Sequence, residues 1–424
     1  MKLSVAPVVT LDGELRPPSD KSLTHRAYLL GSVASGESVV RRPLRGEDCE
    51  ATLRCLEQMG LRYRWLDEEK VRLIPAAQWV QPGEPLDCGN SGTTMRLLSG
   101  LIASREIEAT LTGDESLSRR PMKRIAEPLR LMGAAVEGDR PPLHIAGGQL
   151  RGIDYASPVA SAQVKSCVLL AGLRAEGTTR VSEPSTSRDH TERMLAAMGV
   201  RVSIGIDSVS LAGGQSLQPF EMTIPADISS AAFFMVAAAC LPQGRLLVRD
   251  LGVNPTRTGL LDVFDACGIP LLMGTERSEL GEPVNDVEAR YVSQKRPFVI
   301  EGDLVPRLID EIPVLAVLAT QCVGTSVIRG AGELRVKESD RIQLIADGLR
   351  RMGASVEVFE DGMAIEGPTL LRGTAVSTQG DHRIGMAFAI AGLLAEGETT
   401  IDGAEAIATS YPDFERHLHS LCVI

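Results

Sequence analysis

The sequence has few aromatic residues, few histidines and no long apolar run. Aromatic side chains make up 4% of the 424 residues, so the core must be built mainly from Leu, Val, Ile, Ala and Met. The six histidines show no HExxH spacing, which predicts no metal site. The eight cysteines form no CxxC pair, which indicates reduced core cysteines and a cytoplasmic protein.

The sequence also lacks the signals of a membrane protein and of a nucleic-acid binder. Its longest apolar runs have about 11 residues, whereas a membrane span needs about 20. Its start lacks the sustained apolar core of a secretory signal. The formal net charge is −11, and an acidic chain is a poor general ligand for nucleic acid. Clustered basic residues therefore favour small anionic ligands.

Six short polar clusters recur along the chain, each directly before an apolar, helix-like run. Successive clusters lie between 66 and 82 residues apart, and their marker residues are Ser22, Gly92, Gln163, Ser229, Glu311 and Arg383. A second signature keeps the same period: a helical stretch ends at a glycine and leads into a strand, as in QMGLRYRW and RMGASVEV. The two patterns predict six βαβαββ modules.

The chain is too long for one ordinary core, so we expect two domains of three modules each. Prolines near residues 17–20 and 225–227 favour extended crossings there. We predict an N-terminal domain of residues 20–225, and a C-terminal domain of residues 1–19 plus 226–424. The strand-like start, LSVAPVV, should complete the short sixth module. The predicted fold class is α/β (α+β), with helices inside, sheets outside and a two-strand hinge that lets the domains open and close.

The polar clusters lie where helices should begin. A helix N-terminus exposes unpaired N–H groups and about half a positive charge, which attracts anions. The first cluster adds Lys21, Ser22 and Arg26, although it lacks the GxxxxGK[ST] motif of a Walker loop. An ordinary N-cap and a solvated helix face would explain such a cluster equally well. Between Glu333 and Arg341, a salt-bridged surface helix is the alternative to a site.

Seven motifs together resemble a known family across the whole chain. In order, they read DKSLTHR, GNSGTTMR, RRPM, SAQVKS, DEIPVLAV, RVKESDR and GDHRIGMA. They are similar to those of EPSP synthases, the 3-phosphoshikimate 1-carboxyvinyltransferases of the enolpyruvyl transferase family. The resemblance implies transfer of the enolpyruvyl group of phosphoenolpyruvate to the 5-hydroxyl of shikimate 3-phosphate, in aromatic amino-acid biosynthesis. It implies no metal or organic cofactor, and we expect a monomer with only small-molecule partners.

The resemblance also implies the site residues. Asp310 matches the proton acceptor, Lys21 lies between both substrates, and Lys337 and Glu338 flank the reacting centre. The residues that match the shikimate 3-phosphate site are Lys21, Ser22, Arg26, Ser161, Ala162, Gln163, Arg188, Asp310 and Lys337. Those that match the phosphoenolpyruvate site are Lys21, Asn90, Gly92, Arg120, Gln163, Glu333, Arg341 and Arg383.

The implied mechanism is addition followed by elimination. Asp310 accepts the proton of the 5-hydroxyl as that oxygen attacks C2, and Glu338 or Lys337 protonates the methylene carbon. The tetrahedral intermediate then expels phosphate. Guanidinium groups of Arg120, Arg341 and Arg383 would hold the anion through position and charge.

The sequence departs from the family pattern at two points. Thr409 stands where many members have a lysine, which puts that phosphate contact in doubt, and Ala162 replaces a serine, which leaves only a backbone donor. These features resemble the second bacterial class, whose members often tolerate glyphosate. Because Gly92 leaves space for that inhibitor, the sequence leaves sensitivity open in both directions.

Two alternative functions are weighed against this interpretation. The related UDP-N-acetylglucosamine enolpyruvyl transferases carry a catalytic cysteine in the first domain, but residues 116–121 here contain none. A non-enzymatic clamp-like ring would place basic residues along its lining helices, whereas in this chain they gather at helix starts.

Overall fold

The computed structural model describes residues 1–423 and divides them into two compact domains. The N-terminal domain contains Ser19–Ile224 and the short segment Ser278–Glu282. The C-terminal domain contains Met1–Pro18, Pro225–Arg277 and the described chain from Pro283 onward. The sequence shows no sign that Ser278–Glu282 groups with the N-terminal domain, because this segment lies far beyond the predicted crossing near Pro225.

The helices of the described chain range from 5 to 13 residues in length. They are α1 (Lys21–Gly31), α2 (Glu47–Gln58), α3 (Gly92–Ala103), α4 (Glu115–Arg119), α5 (Lys123–Leu131), α6 (Ala162–Gly172), α7 (His190–Ala197), α8 (Ile228–Cys240), α9 (Gly259–Cys267), α10 (Leu304–Leu308), α11 (Ile312–Ala319), α12 (Arg341–Arg351), α13 (His382–Leu393) and α14 (Phe414–Leu421). Two 3₁₀-helices span Gly332–Val336 and Ala404–Thr409. Within residues 1–423, none of these helices has the length and hydropathy to cross a bilayer.

The strands are short and lie between the helices. They are β1 (Lys2–Val5), β2 (Thr10–Leu15), β3 (Ser38–Arg41), β4 (Arg62–Asp67), β5 (Lys70–Ile74), β6 (Leu86–Asp87), β7 (Glu108–Thr112), β8 (Ala135–Glu137), β9 (Leu143–Ala146), β10 (Asp154–Ala156), β11 (Thr178–Ser182), β12 (Val202–Ile204), β13 (Ser208–Ala212), β14 (Glu221–Thr223), β15 (Arg245–Gly252), β16 (Leu271–Met273), β17 (Arg277–Glu279), β18 (Glu282–Arg290), β19 (Val299–Ile300), β20 (Gly324–Ile328), β21 (Ser355–Phe359), β22 (Gly362–Gly367), β23 (Ala375–Ser377), β24 (Thr399–Asp402) and β25 (Cys422–Val423).

Four sheets repeat one strand order. They run β14-β3-β5-β4, β6-β7-β9-β8, β10-β11-β13-β12 and β19-β20-β22-β21. In each, the first pair is parallel and the other two pairs are antiparallel. Parallel strands need a long crossover connection, usually a helix, and α3, α6 and α10–α11 lie between the strands of the β6-β7, β10-β11 and β19-β20 pairs. The predicted fold of repeated βαβαββ modules is confirmed.

The first strands of the chain complete two modules of the C-terminal domain. β1 pairs antiparallel with β24, which itself pairs with β23, so the prediction that the N-terminal strand completes the sixth module is confirmed. β2 pairs in parallel with β15 and thereby joins a further sheet, β16-β18-β15-β2-β25, which belongs to the fourth module. The sequence shows no sign of this second pairing.

Helices form the centre of each domain. Every residue of α8 and of α11 is buried in the C-terminal domain. In the N-terminal domain a methyl group on Gly100 of α3 would lie 2.2 Å from the carbonyl oxygen of Cys167 in α6, so these two backbones touch. All eight cysteines are free and seven are buried, as the sequence predicts.

The polar clusters serve partly as N-caps. Side chains of Asp20, Ser91, Ser161 and Asp227 each accept a hydrogen bond from a backbone N–H in the first turn of α1, α3, α6 and α8. Asp381 does the same for α13. The ordinary capping interpretation therefore explains the acidic and hydroxyl residues of the clusters, but not their lysines and arginines.

Candidate active site

The starts of α1, α3 and α6 lie together in the N-terminal domain. Gln163, near the start of α6, donates through Nε2 to Thr93 Oγ1 of α3 at 2.9 Å and accepts a short hydrogen bond from Arg96. Arg26 of α1 donates through Nη2 to Ser166 Oγ of α6 at 2.9 Å. Three equivalent helices of three modules therefore present their positively polarised ends on one side of this domain. The predicted site residues of this domain are called the N-terminal cluster: Lys21, Ser22, Arg26, Asn90, Gly92, Arg120, Ser161, Ala162, Gln163 and Arg188.

Lys21 lies at the first position of α1 and forms an ion pair with Asp48 of α2. Asp48 is buried, whereas about a fifth of the Lys21 side chain is exposed. The ammonium group is therefore oriented by a neighbouring helix and still reachable by a ligand. Sequence reasoning missed Asp48, whose only signal is its place in an acidic first turn.

Arg26 is buried and its guanidinium bonds to the protein. Nε donates to Thr191 Oγ1 at 2.8 Å, and Nη1 to the Ser22 carbonyl at 3.1 Å. Burial lowers the pKa of Arg26 to about 10, so the group stays charged at neutral pH. The structure thus gives Arg26 a role in joining α1, α6 and α7, while contact with substrate stays a prediction.

Asn90 and Arg120 lie next to each other before α3 and after α4. Arg120 Nη2 donates to Asn90 Oδ1 at 2.7 Å, and Asn90 Nδ2 donates to Asp114 Oδ2 at the same distance. Gly92 lies close to both arginines of this region: a methyl group there would be 3.1 Å from Arg96 Nη1 and 3.4 Å from Arg120 Nη1. Two guanidinium groups therefore converge on the start of α3.

The start of α6 is connected to a buried ion network. The Ser161 N–H donates to Glu183 Oε1 at 2.8 Å, and Lys165 Nζ lies 3.0 Å from Glu183 and 2.8 Å from Glu192. Lys165 is therefore held by two carboxylates and supports the helix start from within. Ala162 and Arg188 are both partly exposed beside this network.

The predicted proton acceptor lies among three cations in the C-terminal domain. Asp310 Oδ1 is 3.4 Å from Arg341 Nη1, 3.8 Å from Lys337 Nζ and 3.9 Å from Arg383 Nε. Arg383 also donates through Nη1 to the Asp310 carbonyl at 3.4 Å. We call Asp310, Glu333, Lys337, Glu338, Arg341 and Arg383 the C-terminal cluster.

Arg341 is fully buried at the first position of α12. Nε donates to Asp381 Oδ2 at 2.8 Å and Nη2 to Glu338 Oε2 at 2.7 Å. Burial opposes the charge of Arg341, but Asp381 and Glu338 outweigh it and raise the pKa above its ordinary value. The guanidinium is thus permanently charged and firmly oriented by carboxylates.

The segment before Arg341 does not form the continuous surface helix that the sequence allows as an alternative. Glu333 lies in a 3₁₀-helix that ends at Val336, and α12 begins only at Arg341. Lys337 reaches Asp310 from the irregular segment between these helices. The surface-helix interpretation is wrong here because Asp340 caps α12 and stops it from extending backward.

Glu311, next to the predicted proton acceptor, belongs to a polar chain that sequence reasoning missed. Ser229 donates a short hydrogen bond to Glu311 Oε1, and Arg257 Nη2 donates to Ser229 Oγ at 2.7 Å. Burial raises the pKa of Glu311, although Arg257 acts against the rise. These hydrogen bonds link the starts of α8 and α11. Their partners lie more than 25 residues apart in sequence, so spacing could not reveal them.

Comparison with known proteins gives one consistent result. The family model of EPSP synthase (3-phosphoshikimate 1-carboxyvinyltransferase) matches residues 5–418. Proteins described as 3-phosphoshikimate 1-carboxyvinyltransferase include one from Bacillus licheniformis, 48% identical over 420 residues with 98% of each chain covered, and one from Desulfitobacterium hafniense, 46% identical over 424 residues with 99% of this chain and 97% of the other covered. A solved structure of EPSP synthase from Acinetobacter baumannii superposes with a TM-score of 0.90 at 42% identity, covering 100% of this chain and 98% of that one.

Proposed function

Since the chain belongs to the EPSP synthase family, we propose that it transfers the enolpyruvyl group of phosphoenolpyruvate to the 5-hydroxyl of shikimate 3-phosphate. A bond forms between the 5-oxygen and C2 of phosphoenolpyruvate, and the bond from C2 to the phosphate oxygen breaks. The products are 5-enolpyruvylshikimate 3-phosphate and phosphate. The observation that carries this proposal is the match over residues 5–418, in which a carboxylate, Asp310, is surrounded by three cations.

The N-terminal cluster is proposed to bind shikimate 3-phosphate. This dianionic or trianionic substrate requires several donors and cations. Lys21, held by Asp48, and the start of α6 with its partly exposed Ser161 and Gln163 offer both. The remaining residues proposed for this substrate are Ser22, Arg26, Ala162, Arg188, Asp310 and Lys337.

Phosphoenolpyruvate is proposed to be held by guanidinium groups. Arg120 is oriented by Asn90, Arg341 by the carboxylates of Asp381 and Glu338, and Arg383 by the carbonyl and carboxylate of Asp310. Their guanidinium groups offer planar donor pairs that suit phosphate and carboxylate groups. Because their positions are set before substrate arrives, little reorganisation is needed as charge develops on the leaving phosphate. The remaining residues proposed for this substrate are Lys21, Gly92, Gln163 and Glu333.

Asp310 is proposed to accept the proton of the 5-hydroxyl. The cations around it favour its ionised form, which is the form that a general base needs. Lys337 or Glu338 would then protonate the methylene carbon during addition, and the elimination step returns that proton as phosphate leaves. We also propose that the protein acts as a monomer in the cytoplasm, which sedimentation and fractionation would test.

The decisive experiment measures phosphate release with each substrate alone and with both together. We expect release only when both are present. Asp310→Asn should lower kcat by about 10²-fold or more, the usual contribution of a general base. The KM for phosphoenolpyruvate should not rise, because the variant removes a negative charge close to an anionic substrate.

A matched control is Asp303→Asn, which removes an exposed carboxylate in the same domain. It should keep wild-type turnover. Full activity of Asp310→Asn would show that Asp310 is not the general base, and the family assignment would still hold. Phosphate release with UDP-N-acetylglucosamine in place of shikimate 3-phosphate would instead overturn the proposed substrate.

A further inference from the structure

The N-terminal domain contains a cavity at the end of its central helices opposite to the N-terminal cluster. It has a volume of about 170 Å³ and lies where α1, α3 and α6 end. Cavities of about 150 Å³ can hold a benzene ring. The lining residues are Val33, Ser35, Leu101, Arg105, Leu170, Leu173, Arg174, Gln215, Ser216 and Leu217. None of them belongs to either cluster of the candidate active site.

The repeated modules place equivalent residues around this cavity. Val33, Arg105 and Arg174 each follow by two residues the last residue of α1, α3 or α6. The modules of α3 and α6 thus each supply a guanidinium group, and the module of α1 supplies an apolar side chain. Leu101 and Leu170 precede the ends of α3 and α6 by two residues, and both are buried. The result is an apolar floor with two cations at the side.

Among the described residues, no carboxylate lies within ion-pair distance of Arg105 or Arg174. Arg105 Nη1 donates to the Leu101 carbonyl at 2.7 Å and to Ser104 Oγ at 3.1 Å. Burial, and then the repulsion from the charge of Arg174, lower the pKa of Arg105 to about 9, so Arg105 remains cationic at neutral pH.

We propose that this cavity binds a small carboxylate with a compact apolar body, independently of the substrates. The carboxylate would lie between Arg105 and Arg174 and remove their repulsion, and its apolar body would contact Leu101 and Leu170. Arg174 is exposed, so a ligand can enter from solvent. This site lies outside the proposed function, because it uses neither the residues nor the phosphate groups of the reaction.

The chain carries a built-in reporter for this site. The guanidinium carbon of Arg105 lies 4.2 Å from the ring centre of Trp79, and the sequence contains only one other tryptophan, Trp65. In a Trp65→Phe background, all tryptophan emission comes from Trp79. We expect titration with benzoate to give a saturable change in this emission. Benzyl alcohol, which has the same ring without the charge, should give none.

Matched variants test the role of charge in that background. Arg174→Ala should weaken benzoate binding about tenfold or more, the value of one charged hydrogen bond. Arg140→Ala removes another exposed arginine of the same domain and should leave binding unchanged. Equal unfolding midpoints of the two variants would show that both are folded. Absence of a saturable change, equal binding by the two variants, or equal binding of benzyl alcohol would each overturn the proposal.

Discussion

Replacing Lys165 by methionine should strongly destabilise the N-terminal domain. Its ammonium group lies 3.0 Å from Glu183 and 2.8 Å from Glu192, and only 5% of the lysine side chain is exposed. Both carboxylates are equally buried. Lys165→Met leaves two like charges in the interior without a counter-ion, which costs about 3–5 kcal/mol of the free energy of unfolding.

The same variant should show a characteristic pH dependence. Burial already raises the pKa of Glu192, and the loss of Lys165 should raise it further. A carboxyl group whose pKa is higher in the folded state stabilises the protein below its unfolded pKa, and this contribution is lost as pH rises through the folded pKa. The free energy of unfolding of Lys165→Met should therefore fall furthest below that of wild type near neutral pH, and the difference should shrink toward pH 5.

Urea unfolding followed by tryptophan fluorescence would measure this effect. Trp65 and Trp79 both belong to the N-terminal domain, so their emission reports that domain. The control is Lys123→Met, which breaks an exposed pair with Glu127 at 3.3 Å and should change stability by about 1 kcal/mol or less. The reasoning is refuted if the two variants differ by less than about 1 kcal/mol at neutral pH, or if their difference grows as pH falls.

Three further predictions concern packing, titration and the phosphoenolpyruvate region. Gly100→Ala should cost about 1–3 kcal/mol in urea unfolding because its methyl group meets the Cys167 carbonyl at 2.2 Å, whereas Gly148→Ala, with open space, should be neutral; equal effects would contradict the contact. Burial raises the Glu311 pKa, so wild type should lose free energy of unfolding as pH rises above about 4.5, whereas Glu311→Gln should not. The variant should therefore become more stable than wild type with rising pH, and an equal gain in stability at low pH would contradict this. Gly92→Ala should raise the KM for phosphoenolpyruvate and the glyphosate concentration for half inhibition several-fold, because its methyl group crowds two guanidiniums; unchanged inhibition curves would count against this.

Sequence reasoning recovers the modular fold because the repeat is local. Each module carries its own helix start and its own glycine-terminated helix, so the period is visible without knowledge of any tertiary contact. The pairing of β1 with β24 follows from the same count, since the sixth module is short by one strand. The pairing of β2 with β15 could not be predicted, because β14, the strand that precedes β15 in sequence, pairs with β3 instead, and the spacing does not show this exchange.

The candidate site is recovered less completely, because its counter-ions come from distant parts of the chain. Motifs identify Lys21 and Lys165 as basic residues at helix starts. Spacing does not reveal that Lys21 pairs with Asp48 and keeps its side chain partly exposed. Nor does it reveal that Glu183 and Glu192 both pair with the buried Lys165. Such pairings depend on how the modules pack, and a single sequence without contacts does not contain that information.

The pairing of the first strands constrains the order in which the chain can fold as it is made. β1 ends at Val5, yet its partner β24 begins only at Thr399. At about 5–20 residues per second, a ribosome needs roughly 20–80 s to reach that partner. Residues 19–224 are synthesised within this interval, so the N-terminal domain can fold around its own core while β1 is still unpaired. Translation speed and chaperone access to the first residues should therefore affect the yield of active enzyme.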